Sequence, residues 1–322
     1  MKLISDHSGT IHERGPIFPA RQSSMPIRCV TFEIANTLVR LASPQHALYR
    51  KPVCDALRHF RLAVPPDDVM KNAFRVAFKR VSTELPHYGG PSEIDERVWW
   101  KELMLQMLEE AGCHEALSGG NFHLVFQRAY SSFGSRDSWS EAPDGAREAM
   151  KHAKAHGLVV GAVCNTYHRY VDNKLPMLGL HADLDFAVVS NEASLHDELA
   201  NARRAAICND ATRAGESALW QLQVVWELAA RRATDAHRLL HGGESPIAPE
   251  HMLHVGTSLP GFLAAKACGA RALLIDARPD PRKFGLHSSH DGAVNEKLSP
   301  EETLSSLREL PAKVDELRST RQ

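Results

Sequence analysis

The fold of this chain is decided by the stretch Ile27-Arg28-Cys29-Val30-Thr31-Phe32-Glu33-Ile34-Ala35-Asn36-Thr37-Leu38. Its first half is short, apolar and rich in β-branched residues, which is typical of a buried strand in a parallel sheet. Its second half places the acid Glu33 directly after that strand and the pair Thr37-Leu38 four residues later. A carboxylate at this end of a parallel strand lies where such sheets bind ligands.

Strand and helix patterns alternate through the second half of the chain. Strands are predicted at 158–163, 186–189, 252–255 and 272–275, the last of these closing the sheet. Helices are predicted at 145–156, 168–178, 217–232 and 259–268. Regular alternation with short connections predicts an α/β fold with a doubly wound parallel sheet.

The region after the first strand has a different pattern, because it is helical throughout. Helices are predicted at 47–60, 66–85 and 96–111. A helical segment inserted after one strand indicates a cap on an α/β core. We therefore expect the following organisation: a flexible extension at 1–27, a core made of 28–43 and 134–276, a helical cap at 44–133, and a tail at 277–322 with a short helix.

The composition excludes several function classes. The 322 residues contain 38 basic and 39 acidic side chains, so net charge does not favour nucleic acid or an anionic membrane. The six cysteines form no CxxC pair, which favours reduced thiols, and the 18 histidines form no HExxH or Cys/His zinc pattern. We expect a cytoplasmic protein without a membrane span, the alternative being mitochondrial import directed by 1–27.

Two further strand ends carry polar residues, and a basic residue is missing between them. The strand at 158–163 leads into Cys164-Asn165-Thr166, and the strand at 252–255 leads into Gly256-Thr257-Ser258-Leu259-Pro260-Gly261-Phe262. The segment 196–250 contains no lysine. In this order the three strand ends resemble the haloacid dehalogenase-like (HAD-like) superfamily of hydrolases, and the resemblance covers roughly 28–276. The third motif of that superfamily is a lysine, which is absent here. The resemblance implies a Rossmannoid core with a C1-type helical cap.

The acidic positions of that superfamily are replaced in this chain. The resemblance places the nucleophile at Glu33 and the general acid at Ala35, and it places the two metal-binding acids at Thr257 and Phe262. HAD-like chemistry needs Mg²⁺ held by carboxylates, and a lone carboxylate holds it poorly. The longer Glu side chain also displaces its carboxylate by about 1 Å, which can cost on the order of 100-fold in rate. We expect no cofactor, Mg²⁺ being needed only by an active hydrolase.

The remaining candidate substrate- or anion-binding residues are Thr37, Cys164, Asn165 and Thr166. Their hydroxyl, amide and N–H groups suit an anion, but the same groups serve as turn and helix caps, and both interpretations stay open. We favour a buried, unreactive Cys164, since no cationic residue adjoins it in sequence. Candidates for the missing lysine are Arg203, Arg204 and Arg213, which are otherwise surface residues.

Three function classes remain. The replaced acids favour a pseudoenzyme of HAD-like fold, retained as a scaffold in a protein or ribonucleoprotein assembly through the unusual 196–246 segment. The alternatives are a divergent active phosphatase or hydrolase and a metal-free binder of a small molecule.

Overall fold

The computed structural model describes residues 25–85, 94–141, 145–190, 192, 214–243, 245–275 and 299–319, with side chains placed at all of these except 45, 46, 49 and 214–223. The strands are β1 Cys29–Phe32, β2 Val39–Leu41, β3 Trp139–Glu141, β4 Val159–Cys164, β5 Phe186–Val189, β6 Met252–Gly256, β7 Arg271–Ile275 and β8 Thr303–Leu304. The helices are α1 Gln45–His59, α2 Asp67–Glu84, α3 Glu96–Glu110, α4 His114–Leu117, α5 Asn121–Phe133, α6 Ala146–Ala155, α7 Leu175–Met177, α8 Ala214–His241, α9 Leu259–Ala267 and α10 Leu310–Ser319.

The main sheet has the strand order β5-β4-β1-β6-β7-β8, and every pair of neighbours is parallel. Phe32 of β1 lies between Ala162 of β4 and Val255 of β6. The predicted doubly wound parallel sheet is therefore confirmed.

The sheet continues beyond β7, which the sequence predicts to be the last strand. Thr303 and Leu304 form a further parallel strand against Leu274 and Ile275. The prediction fails because β8 has only two residues, too few for an alternating pattern, and because the leucines at 304, 307 and 310 recur at helical spacing.

The helices α1 to α5 lie between β2 and β3. The first three are close to the predicted helices at 47–60, 66–85 and 96–111, whereas α4 and α5 were not predicted individually. A short antiparallel ribbon of β2 and β3 stands at the two ends of this helical segment, with Leu41 opposite Trp139. The turn from β1 into β2 needs a left-handed residue, and Asn36 supplies it with φ 61°. Three-residue strands carry little periodicity, so this ribbon is not predictable from the sequence.

The two faces of the main sheet bury separate apolar layers. Along β1, Cys29 faces a layer built with α8 and α9, whereas Val30 and Phe32 face the layer that includes α6 and α10. The helix α8 runs nine residues beyond its predicted end at 232 and stops before Gly242, whose φ of +68° is the left-handed conformation that terminates helices. Within the described ranges, no helix combines the length and apolarity needed to cross a bilayer.

Candidate functional site

The predicted site residues converge where three neighbouring strands end. Glu33 follows β1, Cys164 ends β4, and Thr257 follows β6. Because β1 lies between β4 and β6 in the sheet, the carboxyl ends of all three open onto one edge.

The carboxylate of Glu33 is held by the loop after β6. Its Oε2 atom accepts hydrogen bonds from the backbone N–H of Thr257 at 2.9 Å, from the backbone N–H of Ser258 at 3.0 Å, and from the Thr257 hydroxyl at 3.3 Å. These two N–H groups directly precede α9, where helix termini favour negative charge. One oxygen of Glu33 is thus committed to three donors of the chain itself.

The loop can approach Glu33 this closely because position 256 is glycine. A Cβ atom there would lie 2.9 Å from Glu33 Oε2 and 3.1 Å from Glu33 Cβ. The same atom would lie 3.3 Å from His254 Nε2. The sequence Gly256-Thr257-Ser258 therefore forms a cradle whose size fits a carboxylate group of the protein.

Burial has the largest effect on the pKa of Glu33. It raises the pKa of the carboxyl to about 7, and the hydrogen bonds from Thr257 and Ser258 oppose that rise. No cationic side chain among the described residues contributes to this pKa. A HAD-like nucleophile works as an anion, whereas this carboxyl group is close to half protonated at neutral pH.

His254 lies beneath the cradle, and sequence reasoning overlooked it. Its Nδ1 is 3.1 Å from the Thr31 hydroxyl, and its ring packs edge-on against Trp226 at 5.0 Å between centroids. Burial lowers its pKa to about 3, so the imidazole is neutral at physiological pH. The one signal in the sequence is a lone histidine inside the apolar strand β6.

Cys164 is buried next to Glu33. Burial raises the pKa of its thiol far above the ordinary range, and the Glu33 charge raises it further. Such a thiol is not a nucleophile at neutral pH. This agrees with the interpretation of Cys164 as a buried small side chain.

The three predicted polar neighbours of Cys164 have different environments. Asn165 is exposed, and its Oδ1 accepts a hydrogen bond from the Ser190 hydroxyl at 2.6 Å. Thr37 and Thr166 are buried, and neither hydroxyl has a hydrogen-bond partner within the described part of the chain. Buried hydroxyls without partners are unfavourable by about 1–3 kcal/mol each. These two hydroxyls are therefore the polar groups near the strand ends that a ligand would stabilise by hydrogen bonding.

The positions that correspond to the family's acids do not form a metal site. Ala35 lies in the turn and forms a bridge with Val39. Phe262 is buried in the layer shared with α8, and the Lys266 ammonium lies 5.2 Å from its ring centroid. Together with the committed Glu33 Oε2 and the hydroxyl of Thr257, this set offers no second carboxylate, so it does not fit Mg²⁺.

The predicted cationic replacements lie elsewhere. Arg203, Arg204 and Arg213 fall outside the described residues. Arg232, on α8, donates to the Ala187 carbonyl and to the Glu192 carboxylate beyond β5, a contact that no motif in the sequence marks. This pair joins α8 to the end of the sheet.

A second buried charged group lies between the helical segment and the sheet layer. Tyr130 of α5 donates a hydrogen bond to Glu96 of α3, and the Arg169 guanidinium lies 4.1 Å from the Tyr130 ring. Lys174 donates to the Phe133 carbonyl at 3.0 Å. Burial raises the pKa of Glu96 to about 7 and lowers that of Lys174 to about 7.

The paired tryptophans belong to the core of the helical segment. Trp99 and Trp100 are 1% and 2% exposed, and the Trp99 indole N–H donates to the Leu85 carbonyl at 2.9 Å. They form part of a buried aromatic cluster.

Comparison with known sequences identifies one group of relatives. No profile of a known protein family matches the chain.

The curated relatives are haloacid dehalogenase-like hydrolase domain-containing protein 3 from several vertebrates. The human protein is 27% identical over 169 residues, which are 52% of this chain and 63% of that protein. The Xenopus tropicalis protein is 30% identical over 141 residues, 44% of this chain and 70% of the relative. The zebrafish protein is 24% identical over 290 residues, 90% and 97% respectively. The chain thus matches less than two thirds of the human relative's length.

Comparison with solved structures gives the same fold. A defluorinating L-2-haloacid dehalogenase superposes with a TM-score of 0.56 at 14% identity, covering 92% of this chain and 99% of that one. A Bacillus subtilis protein described as a HAD-hydrolase bound to magnesium superposes with a TM-score of 0.54 at 13% identity, covering 90% and 100%. At these identities the likeness concerns the fold alone.

Proposed function

Because this chain belongs to the haloacid dehalogenase-like superfamily, we propose that it has lost hydrolase activity and serves as a scaffold or assembly component. The observation that carries the proposal is the commitment of Glu33 Oε2 to Thr257 and Ser258. In this arrangement the carboxylate at the nucleophile position fastens β1 to the loop before α9.

The loss of Mg²⁺ chemistry follows from the same contacts. A metal ion would have to compete with three hydrogen-bond donors for one oxygen of a carboxyl whose pKa is about 7. Phe262 presents no ligand atom, and Thr257 already donates its hydroxyl to Glu33. Phosphoryl or acyl transfer without that charge stabilisation loses its largest catalytic contribution.

The scaffold role is supported by the end of α8, which belongs to the described part of the 196–246 segment. At the end of α8, Leu239 and Leu240 are 87% and 53% exposed. Contiguous exposed apolar surface is typical of protein-binding sites, and these two leucines would form part of such a surface. We propose that this end of α8 contacts a protein partner, directly or within a ribonucleoprotein.

A second candidate function is the metal-free binding of a small molecule. It is supported by the buried Thr37 and Thr166 hydroxyls, which have no partner within the described part of the chain. A ligand with an acceptor oxygen would satisfy either hydroxyl that it reaches.

Calorimetry with Mg²⁺ tests the loss of the metal site. We expect no saturable Mg²⁺ binding at millimolar concentration and no magnesium-dependent rise in melting temperature, because binding to the native state would stabilise it. A site with a dissociation constant below about 1 mM would contradict the proposal. The variant carrying Thr257→Asp and Phe262→Asp is the matched comparison, since it restores two acids.

Capture of a partner tests the scaffold role separately. We expect proteins that co-purify with the tagged chain to be lost from the variant Leu239→Lys, Leu240→Lys. Leu124→Lys is the control, because Leu124 is also exposed but lies on α5. Equal loss from both variants, or from neither, would contradict a role for the end of α8.

A further inference from the structure

Three potential metal ligands meet on the surface between α6 and α10. His152 lies on α6 and His156 caps its end, one helical turn later, and Asp315 lies on α10. One ligand atom from each residue lies within 4.8 Å of the other two. The sequence shows no zinc pattern here, because Asp315 is 159 residues beyond His156 and no local motif links them.

Two of the three distances between ligand atoms are close to those around a tetrahedral ion. Nε2 of His152 is 3.2 Å from Asp315 Oδ1, and Nε2 of His156 is 3.5 Å from the same oxygen. Donor atoms bound about 2.0–2.1 Å from a tetrahedral Zn²⁺ are roughly 3.3–3.5 Å apart. The two imidazole rings lie side by side, with centroids 4.1 Å apart.

The orientation of His156 leaves its Nε2 atom available to accept a proton or a metal ion. Its Nδ1 is 2.9 Å from the His152 carbonyl, so Nδ1 carries the proton in the neutral ring. The Nε2 lone pair then faces the Asp315 carboxylate, an unfavourable contact unless a proton or a metal ion lies between them. A ring nitrogen fixed by a backbone carbonyl is the usual support of a metal-binding histidine.

The surroundings of the three ligands favour a divalent transition metal. Imidazole nitrogen and carboxylate oxygen together suit Zn²⁺, whereas Mg²⁺ requires oxygen ligands. The ligands lie at the carboxyl end of α6, where the helix dipole favours a positive charge. The site is also remote from Glu33, because His156 precedes β4 while Cys164 ends it, roughly 17 Å of strand away.

We propose that His152, His156 and Asp315 bind a zinc-class divalent cation that clips α10 onto α6. Water fills the fourth position, and the ion joins the end of the described chain to the helix before β4. This site is independent of the chemistry at Glu33.

Titration with zinc chloride, followed by calorimetry and by thermal melting, tests the proposal. The wild-type chain should bind one equivalent of zinc that Asp315→Asn loses, its affinity falling by more than about tenfold. Zinc should raise the melting temperature of the wild type by more than that of Asp315→Asn. Asp315→His keeps a third ligand and should still bind one equivalent of zinc. This variant therefore separates the loss of a metal ligand from a loss of folding.

The control is His123→Asn, because His123 is exposed on α5, away from the cluster. It should bind zinc as the wild type does. Identical zinc isotherms for the wild type and Asp315→Asn would overturn the proposal, as would an absence of zinc binding by the wild type. Equal loss in His123→Asn would overturn it as well.

Discussion

We propose for Glu33 a role different from the one that its position in the family implies. Its place at the end of β1 was predictable from twelve residues of sequence, and so was the replacement of acids at 257 and 262. The contact that defines its role was not predictable, since it joins residues 224 positions apart through the register of two strands. Sequence patterns report which residues reach a strand end, whereas the three-dimensional arrangement determines which donors each one meets.

The titration of Glu33 gives a residue-scale prediction. Its folded pKa of about 7 lies above the ordinary value of 4.5, so the stability it contributes is full below pH 4.5 and is lost as pH rises to about 7. Glu33→Gln keeps an accepting oxygen and does not titrate. Chemical denaturation at several pH values should therefore show that the free energy of unfolding of Glu33→Gln rises relative to that of the wild type between these limits, by on the order of 3 kcal/mol.

The control for this prediction is Glu33→Ala, which leaves the N–H groups of Thr257 and Ser258 without their acceptor. We expect it to lower the free energy of unfolding by about 1–3 kcal/mol relative to Glu33→Gln at every pH. A constant difference between the wild type and Glu33→Gln would contradict the role of burial in raising the pKa.

Gly256 offers a second test of the cradle. In Gly256→Ala the added methyl group would lie 2.9 Å from Glu33 Oε2 and 3.1 Å from its Cβ, so the loop has to shift. We expect a loss of about 1–3 kcal/mol in the free energy of unfolding. The combination with Glu33→Ala should be less destabilising than the sum of the two single changes, because the nearer clash partner, Oε2, is gone while Cβ remains. Additive effects would contradict the contact.

At the scale of elements, long and strongly patterned segments were predictable and short ones were not. The strands β4 and β5 and the helices α2 and α3 lie within a residue or two of their predicted bounds. The ribbon of β2 and β3 was missed, because its strands are too short to show periodicity. The end of α8 was placed too early, since the helix continues until a glycine stops it.

The strand β8 gives the element-scale prediction. Leu304 is 3% exposed and packs into the main core from the edge of the sheet. Leu304→Ala should lower the free energy of unfolding by about 2–5 kcal/mol, as a buried leucine does elsewhere. Leu240→Ala is the matched control, because Leu240 is 53% exposed, and its effect should stay within about 0.5 kcal/mol. Similar effects of the two changes in denaturant titrations would contradict the packing of the tail on the sheet.

At the scale of the whole molecule, the chain keeps the architecture of its superfamily, while Ala35, Thr257 and Phe262 stand at positions where the superfamily carries acids. The parallel sheet brings Glu33, Cys164 and Thr257 to one edge, as the sequence predicts. What the sequence does not reveal is how charge is distributed around that edge. Arg232 pairs with Glu192, and Lys174 is enclosed by Phe133 and Trp139, so these two cations are engaged with the protein itself.

The central claim is most directly tested by measuring the turnover of an aryl phosphate in excess Mg²⁺, comparing the wild type with Glu33→Ala. We predict no turnover by either protein. We also predict no gain from Glu33→Asp, because the acidic metal ligands and the lysine of the superfamily would still be missing. Restoring one member of a group of residues that act together does not restore activity. Turnover by the wild type that Glu33→Ala abolishes would show that Glu33 is a working nucleophile and would contradict the account.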